Sequence, residues 1–224
     1  MNYLICATGR ARSGVLASYL RQLQVGIPDE FYERLRFDLY QKKTETEVRE
    51  FLESRRLDGV FGMRMVWSHV RCMHESLGLT LKKFVDTYIP NPQYIFMKRD
   101  PIKQAVESVM YGIRKDGNPF EIKYFDVDAA LKRMARIVTG NVAWSLFFEK
   151  HGITPIEVDA NVLEVDPNTV LSQLLVEMGK PIADISVKNH FRDSLMNDFR
   201  DQMCLRFLGR HAQTMNDINV KEFL

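Results

Sequence analysis

The feature that most constrains this chain lies at its start. The apolar run Tyr3-Leu4-Ile5-Cys6-Ala7 leads into Gly9-Arg10-Ala11-Arg12-Ser13-Gly14, and a helical pattern follows from Ser13 to Gln24. An apolar run of this kind reads as a strand buried on both faces, as in parallel sheets. A loop leaving such a strand for a helix turns backbone N–H groups and a positive helix end toward its ligand, which favours an anion. The spacing G-x-x-x-x-G is that of the first six positions of a Walker A loop, although so loose a pattern also arises in ordinary tight turns. The Lys-Ser/Thr pair that completes a Walker A is missing; Val15 and Leu16 stand there. That lysine and the magnesium-holding hydroxyl serve a triphosphate in phosphoryl transfer. A loop without them suits a less heavily charged group such as sulfuryl, stabilised by cations and amides around its bridging oxygen.

Three further runs read as strands: "GVFGMRMVW" (Gly59 to Trp67), "QYIFMK" (Gln93 to Lys98) and "TPIEVD" (Thr154 to Asp159). Helical patterns lie between and after them, at Thr44 to Arg56, His69 to Tyr88, Pro101 to Arg114, Asp128 to His151 and Asn168 to Met178. Asp100-Pro101 and Asp166-Pro167 carry the N-cap and first-turn proline signal. The alternation predicts an α/β fold, P-loop-like and three-layered, with a mainly parallel central sheet flanked by helices, in a single domain over residues 1–224. The polar stretch from Lys115 to Asp128 reads as a mobile loop, and the Arg-dotted tail after Ile182 has weak periodicity. In such sheets ligands sit beyond the carboxyl ends of the strands. That rule selects the loop after Ala7, the Trp67 to His69 segment, and Arg99.

A formal net charge of +2 gives no reason to expect bulk binding to nucleic acid or an anionic membrane. The three cysteines, Cys6, Cys72 and Cys204, form no C-x-x-C pair and no metal-ligand spacing. An odd count without framework spacing fits a reducing compartment, and no metal is expected. "MNYLICAT" lacks the charged start and cleavage site of a signal peptide, and no apolar run approaches the roughly 18 residues of a membrane span. The expectation is a cytoplasmic protein with no membrane span.

Five segments, in order, resemble the Stf0-type sulfotransferases, the trehalose-sulfating family. "YLICATGRARSGVLASYL" is similar to that family's opening strand, loop and helix. "VGIPDEFYERL" resembles its G-x-P-x-E-[FY]-F segment, "GVFGMRMVW" its G-V-[FW]-G-x-K-x-M-W strand, and "YIFMKRDPIKQAVES" its second phosphate motif. "NVAWSLFFEKHGITPIEVDANVLEVDP" resembles the tryptophan-bearing helix, the strand and the Asp-Pro that follow. The resemblance implies transfer of a sulfuryl group from 3′-phosphoadenylyl sulfate (PAPS) to a hydroxyl of a carbohydrate or related small molecule. The displacement would be in line and metal-independent, with 3′,5′-ADP as product. It also implies a homodimer.

Carried over by position, the resemblance assigns the loop Thr8, Gly9, Arg10, Ala11, Arg12, Ser13 and Gly14 to the phosphosulfate, with Arg10 also acting on the reacting group. Without gaps Arg12 stands where the family has glycine and Gly14 where it has threonine; a one-residue slide instead restores R-S-G at Arg12 to Gly14. Arg99 and Ser108 have the spacing of the arginine and serine that hold the 3′-phosphate. Alignment on "QAV" puts Lys98 and Glu107 there instead, and a carboxylate facing a phosphate would be repulsive. A general base must take the acceptor's proton. The resemblance gives that role to Glu30; His69, just beyond a strand end and with a suitable intrinsic pKa, is the alternative. Arg64, replacing the family's lysine, would face the phosphosulfate or an internal carboxylate. Trp67 would line the acceptor pocket and Trp144 the core. Arg200 and Arg206 would close over the donor or remain surface charges, the second being the ordinary fate of arginine. Two other readings stand beside this one: a catalytically degenerate member of the same fold with a binding or assembly role, and a P-loop kinase. The missing lysine argues against the kinase.

Overall fold

The computed structural model describes residues 1–31, 44–119, 121–188 and 198–210. Residues 32–35 of the "VGIPDEFYERL" segment and the side chain of Cys72 lie outside the described residues. The chain gathers into two compact units, one formed by Met1–Arg99 and Thr139–His190, the other by Asp100–Val138 and Phe191–Leu224.

The first unit holds a four-stranded parallel sheet: β1 (Asn2–Ala7), β2 (Phe61–Val66), β3 (Gln93–Lys98) and β4 (Ile156–Asp159), in the order β2-β1-β3-β4. All four strands expected from the apolar runs are present. β1 is paired on both sides, and Tyr3 to Ala7 are buried, which is why its sequence shows no polar alternation. Chain order reverses across β1, so the topological switch point lies between the carboxyl ends of β1 and β3. Cys6 pairs with Phe96, so the first glycine of the loop and Arg99 each stand three residues past this pair.

Helix α1 (Ser13–Gln22) follows the loop, and α2 (Glu45–Glu53) opens with a capping box between Thr44 and Glu47. The helical pattern expected over His69 to Tyr88 is two helices, α3 (Trp67–Leu77) and α4 (Leu81–Tyr88). Gly78 is left-handed at φ 66°, and Thr80 caps the second helix by accepting from the Lys83 N–H. A left-handed glycine followed by a threonine cap ends one helix and starts another, and these short signals outweigh the apolar periodicity on either side. The long helix α6 (Val127–Lys150) contributes Trp144, Phe147 and Phe148 to this unit's core, where Trp144 stacks on Phe148 at 5.7 Å and is fully buried. The segment after β4 folds as a short helix, α7 (Ala160–Val165), before α8 (Pro167–Glu177); the sequence reading had no helix at α7.

In the second unit, Asp100 Oδ1 accepts from the N–H groups of Ile102 and Lys103 and caps α5 (Pro101–Lys115). Val106, Met110 and Ile113 of α5 pack with Phe125, Val127 and Ala130, and with Met203 and Phe207 from a helix over 198–210. The polar stretch read as a loop contains a 3₁₀ turn at Ile122–Tyr124 and anchors Phe125 in the core. One expectation is corrected here. Arg200 is not surface charge: it is buried, and its Nη1 donates to the buried Glu107 carboxylate at 3.4 Å. Glu107 therefore has a cation partner of its own within this unit. Arg206 is exposed.

Candidate active site

The loop between β1 and α1 is built by two left-handed residues, Arg10 at φ 63° and Arg12 at φ 64°, on either side of a buried Ala11. Left-handed backbone is unusual for residues other than glycine, costs on the order of 1 kcal/mol each, and gathers at binding sites. The Ala11 N–H donates to the Thr8 carbonyl at 3.3 Å and closes the turn. Arg12 is the N-cap of α1 and supplies no side-chain cap. Among the described residues no carbonyl accepts from the N–H groups of Ser13 or Gly14, so the positive end of α1 keeps donors for an anion. A side chain added at Gly9 would meet nothing within 4 Å, so the space over the loop is open.

Helix α6 fixes the start of this loop. Trp144 Nε1 donates to the Ala7 carbonyl at 2.9 Å, and Thr8 Oγ1 donates to Asn141 Oδ1 at 3.2 Å. Gly140 is needed between them, because a Cβ there would lie 2.8 Å from Thr8 Cγ2. Thr8 and Ser13 are buried, and Arg10 is exposed.

Arg99 reaches across from the end of β3 with its side chain fully buried. Its Nη1 donates to the Arg10 carbonyl at 2.8 Å, and its Nη2 to Glu164 Oε1 at 2.7 Å. Arg12 Nε donates to the same Glu164 oxygen, also at 2.7 Å. Two guanidinium groups from distant parts of the chain thus converge on one carboxylate oxygen of α7. The sequence reading missed Glu164. A signal existed: an added cation at Arg12 inside a folded loop needs a counter-charge, and the segment holding Glu164 begins at the carboxyl end of a strand.

A second group of side chains lies at the end of β2. Arg64 Nη2 donates to Glu30 Oε2 at 2.9 Å, and His69 Nδ1 lies 2.5 Å from Glu30 Oε1. The two residues named as alternative bases are therefore in one contact group, held by Arg64. All three are partly buried, with side chains 22–26% exposed. The Asp29 carbonyl accepts from the Arg64 N–H at 3.0 Å, and Asp29 Oδ1 accepts from the Glu30 N–H at 2.7 Å, so the segment carrying Glu30 is pinned beside β2. Of the two partners expected for Arg64, the structure shows the internal carboxylate. Gly14 lets this guanidinium close over the first turn of α1, since a Cβ there would sit 2.7 Å from Arg64 Nη1. Trp67 packs edge-on against Trp144 at 5.1 Å between centroids. Ser108 lies on α5 in the other unit, partly buried.

The donors brought together in the first unit (N–H groups at a helix start, the Ser13 hydroxyl, Arg10, Arg12 and Arg99) fit an oxyanion and include no lysine. Thiol chemistry is disfavoured at both described cysteines. Burial raises the Cys6 thiol well above its usual range, and burial together with the Asp100 and Asp201 carboxylates pushes Cys204 up to about 11. Among the described residues no group of three or more His, Cys, Asp and Glu is arranged to hold a metal ion. No described helix is long and apolar enough to cross a membrane.

A sulfotransferase from Alicyclobacillus acidocaldarius superposes with a TM-score of 0.51 at 14% identity, covering 88% of this chain and 90% of that one. At that identity the likeness speaks for the fold. The sulfotransferase domain of the Synechococcus PCC 7002 olefin synthase gives a TM-score of 0.49 at 13% identity, covering 87% and 80%. No curated protein matches the sequence. The family model of the Stf0 sulphotransferases matches residues 2–207, nearly the whole chain, and the protein belongs to that family.

Proposed function

We propose that this transferase moves a sulfuryl group from PAPS to a hydroxyl of a carbohydrate or related small molecule. The observation that carries this reading is the switch-point loop. Its uncapped helix start, two arginines and buried Ser13 stand beside the fully buried Arg99, with neither lysine nor threonine at the Walker positions. In that reading the loop from Thr8 to Gly14 holds the phosphosulfate, Arg10 stabilises charge on the reacting group, and Arg99 holds the 3′-phosphate; the same role for Ser108 rests on the family resemblance alone. PAPS would supply an activated sulfuryl group on a phosphate leaving group. The chain's own part is positional and electrostatic. Fixed N–H groups and guanidinium donors face the oxygens where charge develops, which is where preorganised dipoles lower a barrier most. Glu30 takes the acceptor's proton, oriented by Arg64 and His69. A homodimer is proposed from the family resemblance alone.

One observation favours a non-catalytic member of the family: Glu164 engages both Arg12 and Arg99. Calorimetric titration with 3′,5′-ADP, with ATP and magnesium as the comparison, decides between them. Micromolar binding of 3′,5′-ADP, at least tenfold weaker in Arg10→Ala and not matched by ATP, is the expected result. Absence of binding to the wild-type protein would leave the fold without the proposed chemistry.

A further inference from the structure

A pocket of about 180 Å³ has Arg64 in its lining, together with Asp29 and with Gly14, Ser18 and Arg21 from one face of α1. Two arginines share this small space with Asp29, and Glu30, outside the lining, pairs with Arg64, so what the pocket offers is unused guanidinium donors rather than a surplus of charge. Among the described residues Arg64 gives one hydrogen bond, from Nη2 to Glu30, and its buried Nε has no partner. The Arg21 side chain is exposed and makes no hydrogen bond or ion pair among the described residues, and Asp29 uses Oδ1 on the Glu30 N–H rather than on either arginine. A buried N–H without an acceptor is costly, and an incoming oxygen would recover that cost.

We infer that this pocket binds an oxyanion carried by the acceptor, a carboxylate or a phosphate on a hydroxyl-bearing small molecule; this deepens, and rests on, the sulfuryl-transfer reading. The pocket sits beside the proposed base, because Asp29 precedes Glu30 and Arg64 touches both the pocket and Glu30. Its volume is below the roughly 300 Å³ of the smaller ordinary ligand sites, so it takes a charged group and a few carbons rather than a whole molecule. Two planar guanidinium groups and the Ser18 hydroxyl are the donor types that recognise carboxylate and phosphate. Another cavity of similar size, about 210 Å³ beside β4, has Glu157, Asp159 and Glu177 in its lining and would repel the same group. The acceptor is accordingly an anionic one, and Arg21 determines that specificity.

The test uses the full chain saturated with 3′,5′-ADP, so that the donor site is filled, and titrates it with glucose 6-phosphate, glucuronate and glucose. Glucose 6-phosphate or glucuronate, or both, should bind at least tenfold tighter than glucose, and which of them does so separates phosphate from carboxylate. Arg21→Gln should remove that preference, Arg21→Lys should keep most of it, and both should bind 3′,5′-ADP within twofold of wild type. Equal binding of all three probes to wild type, or a preference that survives in Arg21→Gln, overturns the inference. Failure of the donor reading looks different: 3′,5′-ADP does not bind, while an Arg21-dependent preference for charged probes is still measured.

Discussion

Replacing Glu164 with glutamine separates two effects that run in opposite directions. The Glu164 Oε1 accepts from Arg12 Nε and Arg99 Nη2, each at 2.7 Å, and the Arg99 side chain has no solvent exposure. Removing one partner of a buried ion pair costs about 3–5 kcal/mol. Glutamine keeps an acceptor oxygen in place, so the loss falls to the roughly 1.5–3 kcal/mol of charge-assisted hydrogen bonds. For a chain of this size about 1 kcal/mol moves the melting midpoint by roughly 2–4 °C, so a fall of about 3–12 °C is expected. Anion binding should change the other way. A carboxylate and a phosphate oxygen about 5 Å apart, at an effective dielectric near 20, repel by about 3 kcal/mol, an upper bound near a hundredfold in affinity. Glu164→Gln should therefore melt earlier yet bind 3′,5′-ADP roughly 10–100-fold tighter, measured by thermal denaturation without ligand and by calorimetry with it. A variant that loses stability and affinity together would refute the reasoning, because Glu164 would then be supporting the loop rather than competing with its ligand.

Glu30→Gln should lower kcat for sulfuryl transfer by at least a hundredfold, the usual weight of a general base, with 3′,5′-ADP affinity within twofold of wild type. His69→Asn should lower kcat about tenfold if, as proposed, His69 orients Glu30; the reverse ranking would make His69 the base. Stability should fall at alkaline pH. Burial, with lesser contributions from Cys6 and Asp86, pushes the Tyr94 hydroxyl up to about 12 from 10.0. Below pH 10 both states keep the proton and the contribution is whole. Between 10 and about 12 only the unfolded chain releases it, so each pH unit costs up to about 1.4 kcal/mol. Urea midpoints that stay level from pH 9 to 11 would contradict this.

The strands were legible because each is a short apolar run with its own punctuation, and pairing on both sides explains why β1 and β3 show so little alternation. The Asp100-Pro101 and Asp166-Pro167 starts were legible for the same local reason. What escaped depends on neighbours far away in sequence. Arg12 and Glu164 are 152 residues apart, and Arg200 and Glu107 are 93 apart. Their meetings follow from how strands and helices assemble, which no local pattern records. In both cases residue type alone misleads, since an arginine in a polar stretch usually stays on the surface.

The Arg12–Glu164 pair also bears on the departure that put the loop in doubt. In the ungapped alignment Arg12 replaces a glycine, and a third arginine beside Arg10 and Arg99 would raise the local charge from two to three. Glu164 brings it back to two, while the shared oxygen holds Arg12 at the helix start and Arg99 at the end of β3. Glycine would take the left-handed backbone at position 12 without strain. Arginine takes it at a cost, and what it adds there is a donor aimed at the same oxygen as Arg99. In the proposed reading the substitution keeps the charge that the donor's anion would meet and changes how it is delivered, from an open loop to one latched by a carboxylate that the anion would have to displace.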